Sequence, residues 1–147
     1  MAQEKIRVNL RKIRNIELDL GERNKLFRKF LSDIVMSNNM PALWSLLEYR
    51  EDLNIDALDL VRQTALFEAF GRYYVNPLIS ITDNFEVIKT IVENGANVNF
   101  ENCLFAKDSV LDIAYIHNSK EVVKFLIDKG ADFNRTKKMG KTDFTII

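Results

Sequence analysis

A single cysteine, Cys103, and a single histidine, His117, stand in 147 residues. No internal disulfide can form, and the usual zinc sites, with four ligands drawn mainly from these two residue types, have no donor set here. Glycine is scarce as well, five residues scattered along the chain. No Gly-x-Gly-x-x-Gly or other phosphate-cradling loop is present. No apolar run approaches the ~18 residues of a membrane helix, so no membrane span is expected. The start, "MAQEKIRVNLRKIR", is basic but leads into no apolar stretch. It does not read as a secretory signal, and the expected location is the cytoplasm.

Charge is balanced in total and uneven in place. Residues 1–30 carry nine Lys/Arg against four Asp/Glu, residues 31–101 four against eleven, and residues 102–147 eight against six. The blocks are therefore +5, −7 and +2, which sum to the net zero of the chain. The acidic middle reads either as a well-solvated surface or as a field that steers a basic partner. Nucleic acid is not expected, because the basic N-terminal residues include no aromatic before Phe27 and the acidic middle repels phosphates.

What the chain does have is a repeated phrase. "EVIKTIVENGANVN" (86–99) returns as "EVVKFLIDKGADFN" (121–134), with Gly95 and Gly130 at matching places. Upstream of each lies a shorter segment opening on Ser or Thr: "TALFEA" at Thr64, "SVLDIA" at Ser109 and "TDFTII" at Thr142. An earlier copy ends in "LLEYREDLN" (46–54), where Arg50 holds the glycine's place. Val87, Ile88, Ile91 and Val92 recur at helical spacing, as do Val122, Val123, Leu126 and Ile127. Asp83 with Glu86 predicts a capping box, and Ser119 predicts a second N-cap. Gly95 and Gly130 suit the left-handed residue just past a helix end. Ala69 and Ala114, at equivalent places on the shorter helices, leave room for a close neighbour. Each unit thus predicts short helix, turn, longer helix, glycine stop and extended loop, and such units must stack to cover their apolar faces.

This pattern resembles the ankyrin repeat. "TIVENGANVN" and "FLIDKGADFN" match the second half of the family phrase, and "DSVLDIA" and "GKTDFTII" match the first half loosely. No copy keeps an intact Thr-Pro-Leu-His; Thr-Ala-Leu-Phe, Ser-Val-Leu-Asp and Thr-Asp-Phe-Thr stand there instead. The resemblance implies an all-α solenoid of stacked helix-turn-helix units with hairpin-like loops. Residues 23–147 are expected to hold about three helix pairs and a truncated C-terminal repeat. Residues 1–22 are expected to be an N-terminal capping extension, with a basic binding arm as the alternative, and in it "IELDL" alternates like a strand. Ile146 and Ile147 are expected to pack back on the preceding repeat. The function implied is recognition of another protein through a concave face. A small inhibitor or immunity-type protein neutralising a toxin or enzyme is the alternative, and the unbound chain is expected to be monomeric.

Thr64 to Gly95 spans 31 residues where Ser109 to Gly130 spans 21. The ten added residues fall in "GRYYVNPLISITDN" (71–84), a loop inserted between two helices that reads either as a connection packing Tyr73, Tyr74, Val75, Leu78 and Ile79 onto the solenoid or as a partner-binding loop. Tyr and Arg favour interface hot spots. Arg72, Tyr73 and Tyr74 are therefore the candidate partner-binding residues, joined by Ile116 and His117 from the next repeat. No catalytic site, metal site or cofactor is expected: Cys103 has no visible activator, and the carboxylates form no acid–base constellation.

Overall fold

The computed structural model of the chain describes residues 7, 10–14, 17–75, 84–101, 109–117 and 119–134, with the backbone alone described for 71–75. Asp19 opens the first long helix: its carboxylate accepts the Glu22 backbone N–H at 2.8 Å, and α1 runs Leu20–Ser37. Asn38, left-handed at φ 55°, ends it. Asn39 then caps α2, Met40–Glu48, by accepting from the Ala42 N–H, and Pro41 fits the first turn, where an N–H has no partner in any case. The Thr64 hydroxyl accepts the Phe67 N–H at 3.1 Å and starts α3, Ala65–Val75. Helices α4 (Phe85–Glu93), α5 (Val110–Ile116) and α6 (Lys120–Asp128) follow.

These helices pack as three consecutive pairs, α1 with α2, α3 with α4 and α5 with α6. Helices α1, α3 and α5 stack side by side in one layer, and α2 and α4 in a second. Helix α6 continues the second layer through Phe125, whose ring meets Phe85 of α4 edge-on at 5.5 Å and 87°. The described residues form helices and loops without a strand, as expected of the solenoid. One continuous core runs through the stack, from Phe27 and Leu31 through Leu66, Phe67, Phe70 and Ile88 to Leu111, Ile113, Val123 and Leu126. Ala69 and Ala114 are fully buried. Their carbonyls accept from the start of the following helix, Ala69 from the Asn84 side chain at 3.2 Å and Ala114 from the Ser119 N–H at 3.1 Å.

The loops are tied to their neighbours by polar side chains. Asn24 accepts the Asn54 N–H at 2.8 Å, Asp56 accepts the Asn97 N–H at 2.9 Å, and Asn99 accepts the Asp132 N–H at 2.8 Å while donating to the Gly130 carbonyl at 3.0 Å. Residues 10–13 are helical, Ile13 is fully buried in the shared core, and Arg23 donates to its carbonyl at 2.7 Å.

Gly95 and Gly130 both adopt φ 97°. In each, the next residue closes the helix end: the Ala96 N–H reaches the Ile91 carbonyl, and the Ala131 N–H reaches that of Leu126. An added Cβ would meet open space at both, so backbone conformation and not crowding demands glycine. Arg50 does not repeat this geometry. The left-handed residue of that copy is Glu51, at φ 51°. The Arg50 guanidinium instead reaches the next repeat and donates to the Asn94 carbonyl at 2.7 Å.

Other expectations need correction too. "IELDL" is not a strand over its described residues: Glu17 to Asp19 turn into α1, because the Asp19 cap and the helical periodicity after it prevail over five alternating residues. Asn84, not Asp83, stands at the cap of α4 and makes no cap hydrogen bond, since its side chain is spent on Ala69; Asp83 lies outside the described residues. Ser119 occupies its cap position without a side-chain bond. The capping box belongs to Ser109 and Asp112, which bond each other reciprocally at the start of α5. Residues 135–147, with Ile146 and Ile147, lie outside the described residues.

Three outcomes follow from this packing. Leu126→Ala removes a fully buried side chain from the last pair and is expected to cost roughly 2–5 kcal/mol in denaturant unfolding; a loss well under 1 kcal/mol contradicts the stacking. Arg50→Gly is expected to lower stability by about 1–2 kcal/mol by removing a charge-assisted bond to a helix-end carbonyl. Arg62→Gly, at φ 59°, is expected to raise it by roughly 0.5–1 kcal/mol by relieving left-handed strain.

Candidate partner-binding surface

The linker between α2 and α3 makes a tight reversal at residues 59–63. The Arg62 N–H donates to the Asp59 carbonyl at 3.0 Å, and the Asp59 N–H to the Gln63 carbonyl at 3.1 Å. With Arg62 left-handed, this is the three-residue hairpin loop built on a turn and a bulge. Asp59 suits the first turn position because its carboxylate accepts the N–H groups of Val61 and Gln63, at 3.0 and 2.9 Å. The turn therefore presents Leu60 at its tip, fully exposed (103%), flanked by the half-exposed Val61 and Leu58.

Beneath this tip lies a buried arginine. Arg28 of α1 is only 3% exposed. One guanidinium nitrogen lies 2.9 Å from Glu68 of α3, and the other lies 3.4 Å from Asp59 and donates to the Gln63 carbonyl at 3.1 Å. The Ser32 hydroxyl donates to the second Glu68 oxygen at 2.6 Å. This cluster joins the hairpin to α1 and α3, the first two helices of the α1–α3–α5 layer, called the inner layer below, with the α2–α4 layer as the outer one. Arg28 Nε and Nη1 and Glu68 Oε2 are buried without a hydrogen bond, so the hairpin is held to α1 by the other terminal nitrogen, through Asp59 and Gln63.

The sequence-selected residues lie elsewhere. Helix α3 continues through Val75, so Arg72, Tyr73 and Tyr74 belong to its last turn and not to a loop; their side chains lie outside the described residues. The expected loop is shortened accordingly, and residues 76–83 lie outside the described residues. Continuation is the local preference, since no proline occurs between Ala65 and Pro77 to interrupt the helix. Ile116 ends α5, 56% exposed. His117 is its exposed C-cap, donating its N–H to the Ile113 carbonyl at 3.1 Å. Helices α3 and α5 are neighbours in the inner layer. Cys103 lies outside the described residues, and among the described ones no three His, Cys, Asp or Glu side chains gather to hold a metal.

Sequence reasoning missed Leu60 and its support. The signal was present in "LDLVRQ": apolar residues directly after an aspartate in a linker. The pairing of Arg28 with Asp59 and Glu68 spans more than 30 positions and left no local trace.

A family model described as ankyrin repeats in three copies matches residues 31–137. The chain is also similar to a protein of Rattus norvegicus named ankyrin repeat and SAM domain-containing protein 6, at 29% identity over 70 residues. That match covers 48% of this chain and 8% of the rat protein, so the chain spans only a small part of that relative.

The buried cluster makes a direct prediction. Arg28→Met is expected to lower stability by about 2–3 kcal/mol, less than the roughly 3–5 kcal/mol for a fully buried pair, because Asp59 and Glu68 keep some contact with water. Hydrogen exchange at Val61 and Gln63 is expected to rise in that variant beyond what global destabilisation produces. Unchanged local protection would show that the turn holds itself.

Proposed function

The chain belongs to the ankyrin-repeat family, and we propose that it is a protein-interaction module that grips one partner through the inner helix layer, the hairpin tip and the segment 71–84. Ankyrin repeats are generally devices for binding proteins, and catalysis is not part of the proposed role. The observation that carries the reading is Leu60: a large apolar side chain held fully in water by a turn that is fixed by four hydrogen bonds of its own and two contacts to Arg28. A side chain exposed this way contributes nothing to folding, and its rigid support removes the ordering cost of binding.

Arg72, Tyr73, Tyr74, Ile116 and His117 are the proposed further contacts. Helix α3 spans about 16 Å from Ala65 to Val75, at 1.5 Å per residue. A standard interface of roughly 800 Å² per partner reaches across that length, so the tip and the far end of the inner helices fit one footprint. The acidic block 31–101 supports a basic partner, and an inhibitor of a basic toxin or enzyme is the narrower form of the same proposal.

The test is a pull-down from cells of the source, followed by affinity measurement on the recovered partner. Leu60→Ser and Tyr73→Ala are each expected to weaken binding by more than about 1 kcal/mol with unfolding unchanged. Trp44→Ser, on the outer helix α2 and 58% exposed, is expected to leave affinity as it is. The reverse pattern would move the site to the outer layer and defeat the proposal.

A further inference from the structure

A second surface feature lies where the N-terminal segment meets the end of α2. Arg7, Leu10, Arg11 and Arg14 line, with Tyr49, a cleft of about 320 Å³. The arginines are spaced by four and three residues, the spacing that puts side chains on one face of a helix. Arg14 is fixed in place: its guanidinium carbon sits 4.2 Å from the Tyr49 ring centroid, and a terminal nitrogen lies 3.3 Å from Glu51. Arg23 shares Glu51 at 3.9 Å and pairs with Asp52 at 3.6 Å. Arg7 and Arg11 have no carboxylate within ion-pair distance among the described residues. Among the described residues, two of the three arginines that line the cleft, Arg7 and Arg11, stand outside any ion pair and leave an excess of positive charge at its rim.

The shape and charge select a ligand class. A carboxylate offers one negative charge, whereas a phosphate monoester carries about −1.5 to −2 at pH 7 with three strong acceptor oxygens. Guanidinium forks match that geometry in pairs. Leu10 and Tyr49 add an apolar and aromatic wall beside the charge, which suits a ring carried next to the phosphate. The acidic block 31–101 opposes a nucleic-acid backbone. We infer that this cleft binds a phosphate monoester carried on an aromatic ring, whether a small aryl phosphate or the phosphorylated tyrosine of a partner protein.

The probe is phenyl phosphate, titrated at low salt into the full chain by calorimetry or NMR, with inorganic phosphate and benzoate as comparisons. Phenyl phosphate is expected to saturate one site below about 10 mM and to bind at least fivefold more tightly than either comparison compound. The double variant Arg7→Ser/Arg11→Ser is expected to lose at least tenfold in affinity with its melting temperature unchanged. Lys12→Ser, which does not line the cleft, is expected to bind as the parent does. A phosphotyrosyl peptide that binds more tightly than phenyl phosphate identifies a protein source for the phosphate; equal binding identifies a small aryl phosphate. The inference is overturned if phenyl phosphate does not saturate, if inorganic phosphate binds equally well, or if Lys12→Ser loses as much as the double variant.

Discussion

A pair of short helices buries one apolar stripe against its own partner and leaves the neighbouring faces bare. Stability in this chain therefore depends on contacts between successive pairs, as in any array where each unit touches only its neighbours. Val123 and Leu126 are fully buried because α5 and α6 have a pair on which to stack, not because either helix is strong alone. The polar ties between loops follow from the same constraint. Once α3 sits on α1 and α5 on α3, the loops beyond the helix ends lie side by side, and their backbone N–H groups need partners. Asn24, Asp56 and Asn99 supply them, each from the preceding loop or helix. Such bonds add about 1 kcal/mol apiece, and they fix how far each pair can rotate on the last.

Arg28 shows what the stacking constraint permits. Between the first two pairs the chain places a buried cation where an apolar contact would serve packing as well. Replacing such clusters with apolar residues is often neutral or stabilising elsewhere, so stability alone gives no reason for one here. What the charge adds is direction. Two carboxylates from different elements, Asp59 on the hairpin and Glu68 on α3, converge on one guanidinium from α1. An apolar contact tolerates sliding; this arrangement does not.

The architecture was legible because its signals are local and periodic. Gly95 and Gly130 each need only the residues around them to announce a left-handed stop, and both hold φ 97°. The stripe from Val122 to Ile127 reads directly as a buried face. The errors arose where a residue had two possible uses. Asn84 stands at a cap position but spends its side chain on Ala69. Arg50 aligns with the glycines yet serves the next repeat through its guanidinium, leaving Glu51 to make the turn. Ser109 and Asp112 carry a Ser-x-x-Asp capping pattern in which Asp112 stands where the family phrase has a histidine. The hairpin tip was harder still. Leu60 looks like a stray apolar residue until Arg28, more than 30 positions away, is seen to hold the turn that exposes it.

A rigid tip is a poor binding site by itself. Burying one leucine yields about 1.5–3 kcal/mol, whereas micromolar affinity requires about 8 kcal/mol after association costs. Leu58 and Val61 flank Leu60 and are already partly covered, so they add less than a full side chain each. A partner that seats Leu60 must therefore gain the remainder from surface further along the inner layer. The turn's value then lies in register. Because Asp59 is bonded to the backbone of its own loop and to α1 at once, the position of Leu60 is set relative to the helices, and a partner complementary to both meets them together. A flexible tip of the same composition would offer the same apolar area but would have to be ordered on binding, at roughly 1–2 kcal/mol for each backbone residue fixed. Over the five residues of the turn that cost exceeds what Leu60 returns, so the surface is useful only because the turn is already held.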